Sequence, residues 1–380
     1  MEYKTTVIKS RCKEIDECQI LGGIDTLYCF LDVIESAPKE LYQTLWNSIN
    51  VGSFSREHYH HLGFSGKKNG FIGSWYSYIG RDAIPLFRVG FKDPSKQKQV
   101  KNICIQFEAS GIYSLGFHAL LNFVKVEFSH LLGFDVSNDN LFTSRVDLNA
   151  FIDGYDFSFI DADMFRHSFK GSKSIKDECL DEDCTELESF EYRSRRGIET
   201  LYLGSRSSPL YMKIYDKFKE MNSKNSDIST MVKRYFLLSN DFKSEHLWNL
   251  EFTIKKEVLE QYGVTTVTHL LLLADSIFKD LMRRTSFLGY DLDKIRSFRQ
   301  SKHISRLPPH EIWEKITDNY KFCNYDVDVQ RVYKEYKKGS RRWSSDTIIR
   351  EIRKQKDLGN DYSLPEIISL FQEAQKAPQV

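Results

Sequence analysis

The chain has 380 residues, 41% hydrophobic and 14% aromatic, with a formal net charge of +1 at neutral pH. That is enough chain to bury a substantial core in two or three domains, and the composition excludes a disordered protein. No apolar run reaches the roughly 18–20 residues that span a bilayer, and the opening MEYKTTVIKSRCKEIDE is too charged for a secretory signal. The seven cysteines (Cys12, Cys18, Cys29, Cys104, Cys179, Cys184, Cys323) form no C-x-x-C pair. The expectation is a cytoplasmic protein with reduced thiols, no zinc ribbon and no membrane partner.

In chain order, residues 23–33 read as a strand and 38–49 as a helix. Residues 64–89 are rich in Gly and aromatics, and turns at GKKNG and IGRD predict β-hairpins. Residues 102–108 are a short strand with Cys104, Gln106 and Glu108 on one face. Residues 115–132 are apolar at helical spacing. The strand over 144–152 alternates Arg145, Asp147 and Asn149 with Val146, Leu148 and Ala150. Residues 168–194 are a polar excursion, a hairpin spans 200–217, and a helical segment runs to about 238.

The strand over 248–256 sets Asn249, Glu251 and Thr253 opposite Trp248, Leu250, Phe252 and Ile254. From residue 265 the pattern turns helical, with a break at Pro308 and Pro309 and further helices to 374. The predicted fold is α+β: an antiparallel sheet domain with packed helices over 1–260, then a helical C-terminal region over 261–380 that would bind DNA or serve assembly.

Charge is unevenly placed. Residues 177–191 hold eight acids and no base, residues 193–219 seven bases against two acids, and residues 331–356 ten bases against three acids. Such clusters supply phosphate contacts that net charge hides, and the C-terminal one reads equally as a solvated helix face.

In the strand over 210–217, Leu210, Met212 and Ile214 alternate with Tyr211, Lys213, Tyr215 and Lys217. If these strands share one sheet, their polar faces converge. Glu108, Asp147 and Glu251 would then offer hard oxygen ligands to Mg²⁺ or Mn²⁺. Tyr215 would attack a phosphodiester, its phenolate favoured by Lys213, Lys217 or the metal. An ordinary sheet with one wet face alternates in the same way, and Tyr211 is a rival nucleophile on the same face.

The run Y-L-G-S-R-S-S-x-x-x-x-K-I-Y-D-K-x-x-E, ending at Glu220, resembles the replication initiation factor family, which comprises rolling-circle plasmid and phage initiators and related relaxases. Gly23-Ile24-Asp25, Phe107-Glu108-Ala109-Ser110-Gly111, Arg145-Val146-Asp147 and Asn249-Leu250-Glu251 resemble its other segments in order, over about residues 20–260. The resemblance implies nicking of one origin strand by Tyr215, a 5′-phosphotyrosyl link and a free 3′ hydroxyl, with Arg206, Lys213 and Lys217 nearby. Lys213 and Asn249 stand where the family has arginine, which weakens bidentate phosphate recognition.

Implied partners are single-stranded or extruded origin DNA and a host helicase, because no G-x-x-x-x-G-K-[ST] loop is present. A second cleavage would call on a second subunit, hence a homodimer. One alternative is an origin-binding protein without chemistry. Another is a nuclease using the imidazoles of His58, His60 and His61 to hold metal. Trp343, beside Arg341 and Arg342, is a candidate for stacking an unpaired base.

Overall fold

The computed structural model describes residues 14–31, 39–50, 62–66, 73–79, 85–92, 103–167, 169, 191–194, 197–223, 246–301, 303–323, 329 and 331. His58, His60, His61, Trp343 and the basic segment over 331–356, apart from Arg331, lie outside these residues, as do Cys12, Cys179 and Cys184.

The architecture is α+β. Ten strands form one sheet: β1 (Gln19–Leu31), β2 (Leu62–Gly66), β3 (Gly73–Ile79), β4 (Pro85–Lys92), β5 (Ile103–Phe107), β6 (Leu141–Asp153), and, after the two-residue β7 (Phe165–Arg166), β8 (Glu191–Ser194), β9 (Gly197–Leu203), β10 (Leu210–Asp216) and β11 (Leu247–Lys255). Their order is β2-β3-β4-β5-β1-β6-β11-β10-β9-β8, and the pairings are antiparallel. β12 (Ser286–Phe287) pairs with β7 in a separate two-stranded ribbon. The hairpins expected around GKKNG and IGRD are β2–β3 and β3–β4.

Period-two alternation gives the central strands two unlike faces. On the apolar face Val146, Leu148, Ala150 and Ile152 of β6 align with Trp248, Leu250, Phe252 and Ile254 of β11, and all are buried. The chain also forms α1 (Lys39–Asn50) and α5 (Lys256–Gln261), and longer helices cover this face. Phe117 of α3 (Phe117–Leu132) meets Phe107 with ring centroids 6.1 Å apart, and Phe278 of α6 (Val267–Arg284) meets Phe252 at 5.4 Å. Burial of these side chains contributes about 1.5–3 kcal/mol each, so the helices are held by the same residues that define the strand faces.

The helix expected over 115–132 is α3, and a further short helix leads into it. This is α2 (Ala109–Leu115), and a turn at Gly116 (φ 80°) lets α3 leave at a new angle. α2 lies on the opposite, polar face, where Tyr113 meets Phe151 at 5.8 Å in T-shaped geometry. Its approach is close: a Cβ on Gly111 would stand 2.0 Å from the Leu86 carbonyl oxygen, so only glycine fits there. Among the described residues no helix is long and apolar enough to cross a membrane.

Candidate active site

Register arranges the polar face in transverse rows, each one residue deep per strand. One row runs Gly23, Asn149, Glu251, Lys213, Tyr202 across β1, β6, β11, β10 and β9; the next runs Phe151, Asn249, Tyr215, Thr200. On the other side of the first stands Thr26, Asp147, Thr253, Tyr211. Asp25 enters at an irregularity of β1 between Ile24 and Thr26.

The face is polar yet dry. Asn149, Asn249, Glu251 and Thr253 are 0% exposed, Asp147 is 2% exposed and Tyr215 8%. Buried polar groups require partners, and here the partners define the chemistry.

Tyr215 sits at the end of β10, and the Asn249 amide Nδ2 donates to its Oη at 2.7 Å. Asn149 Nδ2 donates to Asn249 Oδ1 at 3.0 Å, so two amides in series fix the phenol. Lys217, the first residue of α4 (Lys217–Ser223), places Nζ 3.5 Å from the same oxygen and pairs with Glu220 at 2.8 Å. Asp216 caps α4 by accepting from the Lys219 N–H at 2.8 Å. That cap turns the chain so that Lys217 reaches back to the phenol.

Of the expected sources of the phenolate, the two lysines do not outweigh the surroundings of Tyr215. Burial, then the nearby carboxylates of Asp25, Glu251 and Glu220, push Tyr215 well above the ordinary tyrosine range, with only the Asn249 hydrogen bond opposing. The lysines do not reverse this because each already faces a carboxylate. Lys217 holds Glu220, and Lys213 Nζ stands 2.8 Å from Glu251 Oε2. A nucleophilic role for Tyr215 would therefore require another group to take its proton as the bond forms.

Three carboxylates act on one another in front of it. Burial, with Asp25 and Asp147 adding repulsion, pushes Glu251 up to about 8 against the pull of Lys213. Asp147 is likewise raised by burial, although Arg145 holds it with two bonds of 3.0 and 2.7 Å. Tyr113 of α2 donates its hydroxyl to Asp25 Oδ1.

Burial pushes the Lys213 ammonium down, but Glu251, Asp25 and Asp147 outweigh it and hold Lys213 above the ordinary lysine range. With three acids around one ammonium, we take Lys213 as the permanent cation and Glu251 as the group that titrates near neutrality.

The sequence-derived ligand set divides here. Asp147 and Glu251 come together, but Glu108, at the N-cap of α2, pairs with Arg88 at 3.1 Å, and the third acid acting on the pair is Asp25. Among the described residues no group of three His, Cys, Asp or Glu stands in metal-holding geometry. The donor chemistry nonetheless suits a hard divalent cation: Glu251 Oε1, Asn149 Oδ1 and Thr253 Oγ1 are buried on this face and have no hydrogen-bond partner.

Arg206 is not brought to the phenol. It lies in the turn before β10, with its guanidinium 4.2 Å over the Tyr202 ring. Tyr211, the rival nucleophile, is buried two rows from Tyr215, opposite Thr253. Asn149, Asp25 and Tyr113 share this face although the sequence assigned them no role, and Asn249, expected at a phosphate-contacting position, bonds the phenol instead.

No family model matches the chain, and no curated protein matches it. Among solved structures the chain is similar to a rolling circle replication initiator protein from Geobacillus stearothermophilus, with 12% identity and a TM-score of 0.41, over 83% of this chain and 100% of that one.

Proposed function

We propose that this protein initiates replication by nicking one strand of origin DNA, single-stranded or extruded, with Tyr215 as the nucleophile. The observation that carries the reading is the placement of the Tyr215 hydroxyl. It is held by Asn249 at 2.7 Å and faces the field of Asp25 and Glu251, in the segment whose residues resemble the replication initiation factor family.

In this mechanism Tyr215 Oη attacks phosphorus, the bond to the 3′ oxygen breaks, and a 5′-phosphotyrosyl link and a 3′ hydroxyl remain. The 3′ oxygen leaves in line and takes up a proton. Glu251 stands one row from Tyr215, about 7 Å along the strands, and accepts the phenolic proton directly or through one water. The Asn249 amide steadies charge on Oη, and Lys217 adds a cation 3.5 Å away. Lys213 neutralises Glu251 in its basic form.

Glu251 and Asp147, with the unpartnered Asn149 Oδ1 and Thr253 Oγ1 on the same face, would hold Mg²⁺ or Mn²⁺, which would polarise the scissile phosphate. Reversal rejoins the strand. A second cleavage calls on a second subunit or another group, and a host helicase supplies unwinding.

Tyr215→Phe tests the reading. It removes one oxygen from a position packed by Asn249, so it should abolish the covalent adduct with origin DNA while DNA binding persists. Adduct formation equal to the parent protein's would remove Tyr215 from the mechanism. An origin-binding protein without chemistry would show binding and no nick under any metal condition.

A further inference from the structure

A second group of cations lies on the same face, at the other end of β10. Tyr28, Arg145 and Lys255 form the row beyond Asp147, and the turn joining β9 to β10, which begins at Gly204 (φ 86°), brings Arg206 beside it. The Lys255 N–H donates to the Pro209 carbonyl at 2.8 Å. Residue 209 is six residues from Tyr215, roughly 20 Å at about 3.4 Å per residue.

The cations here differ from those around Tyr215. Arg145 is held by Asp147, but among the described residues neither Lys255 nor Arg206 meets a carboxylate within ion-pair distance. Lys255 Nζ donates only to the carbonyls of Arg206 at 3.1 Å and Ser207 at 2.9 Å, which clamps the turn from below. Glu257 acts on Lys255 at longer range, against burial and Arg145, which both disfavour its charge.

Arg206 is exposed, lies over the Tyr202 ring and donates to the Tyr202 hydroxyl. Stacking fixes its guanidinium before any ligand arrives, so little side-chain freedom remains to be lost on binding. Ser205 and Ser207 hydroxyls stand 2.7 Å apart on the same exposed turn.

We propose that this turn, through Arg206, Lys255 and the hydroxyls of Ser205 and Ser207, is a phosphate subsite for the strand being cut, gripping single-stranded DNA between the Tyr202 row, one row from Tyr215, and the Lys255 row, three rows from it. The proposal rests on the nicking reading for its direction: strand polarity is set by two fixed points, a reacting phosphate at one end of β10 and a held phosphate at the other. The held phosphate carries no base information; it sets register on the face.

The test uses the full chain carrying Tyr215→Phe and fluorescein-labelled oligothymidylate, with affinity measured across a salt series. Each lost phosphate contact on single-stranded DNA lowers the slope of log K against log salt by about 0.7. Arg206→Ala and Lys255→Ala should each show that decrease, whereas Arg283→Ala, an exposed cation on the helical face, should leave the slope unchanged.

An unchanged slope in Arg206→Ala overturns the subsite. So does an equal decrease in Arg283→Ala, which would mean diffuse attraction. Should Lys255→Ala unfold the turn, Arg206→Ala decides alone, since its side chain is exposed. Adduct formation by the parent protein is scored separately. An adduct with unchanged slopes sinks only this subsite, and no adduct with the decreased slopes sinks only the nicking reading.

Discussion

Glu251→Gln is the perturbation that most directly probes the dry acid cluster. The folded state holds the Glu251 proton to about 8, against 4.5 for an ordinary glutamate. The carboxyl group is fully buried, with one oxygen lacking any hydrogen bond. A folded-state pKa raised in this way favours folding below the unfolded value, and the benefit is lost as pH rises through the folded one. Stability should therefore fall between about pH 4.5 and pH 8.

At 1.36 kcal/mol per unit, the gap corresponds to about 5 kcal/mol as an upper figure, shared with Asp147, which the same burial raises. Glutamine is neutral at every pH and nearly isosteric, so the variant should lack this decline. At about 2.1 cal/mol/K per residue, a compact unit spanning Met1–Arg331 moves its Tm by about 1.4 °C for each kcal/mol. On that scale the difference in Tm between variant and parent should move by about 6 °C in the variant's favour from pH 5 to pH 8.5. Thermal melts of the two proteins, free of DNA and with chelator present, measure it. Parallel Tm curves would refute a proton held by the cluster, and with it Glu251 as the acceptor for Tyr215.

The same groups make further predictions. Nicking should quicken as pH rises toward about 8 and then level, since only unprotonated Glu251 accepts the phenolic proton, and single-turnover rates against pH should lose that inflection in Glu251→Gln. Asn249→Leu should slow adduct formation by about 10- to 100-fold while oligonucleotide affinity holds, the size expected for one lost donor to a developing oxyanion; a rate within twofold of the parent would discharge the amide from its role. Mn²⁺ added at pH 8 should raise the Tm of the parent protein and not that of Asp147→Asn/Glu251→Gln, and equal shifts would place metal binding elsewhere. Gly111→Ala should lower Tm because α2 must retreat from the Leu86 carbonyl, and a variant as stable as the parent would show that α2 is not fixed there.

The strands and their faces were legible in the sequence because β6, β10 and β11 are half-polar, and alternation with period two shows directly. Register was not legible. Lys213 opposite Glu251 and Asn249 opposite Tyr215 follow from pairing across strands that are separate in sequence. Without it, the lysines looked free to acidify the phenol, when each is already matched to a carboxylate. Asp25 was hidden for a local reason: the irregularity between Ile24 and Thr26 breaks the alternation that would have shown its face.

Glu108 looked equivalent to the other acids in its strand, but it falls one residue past β5, at a helix cap beside Arg88. Gly111 and Gly116 explain the extra helix α2, since one permits its close approach to β4 and the other the change of direction into α3.

The central claim is that one phenol, that of Tyr215, carries the DNA strand after cleavage. The protein incubated with Mn²⁺ and origin DNA of its own replicon, then digested with protease and nuclease, should yield a single peptide bearing a nucleotide mass on Tyr215, joined through the 5′ phosphate. A nucleotide mapped to Tyr211 or to any other residue, or cleavage that leaves no protein-linked strand, would contradict it.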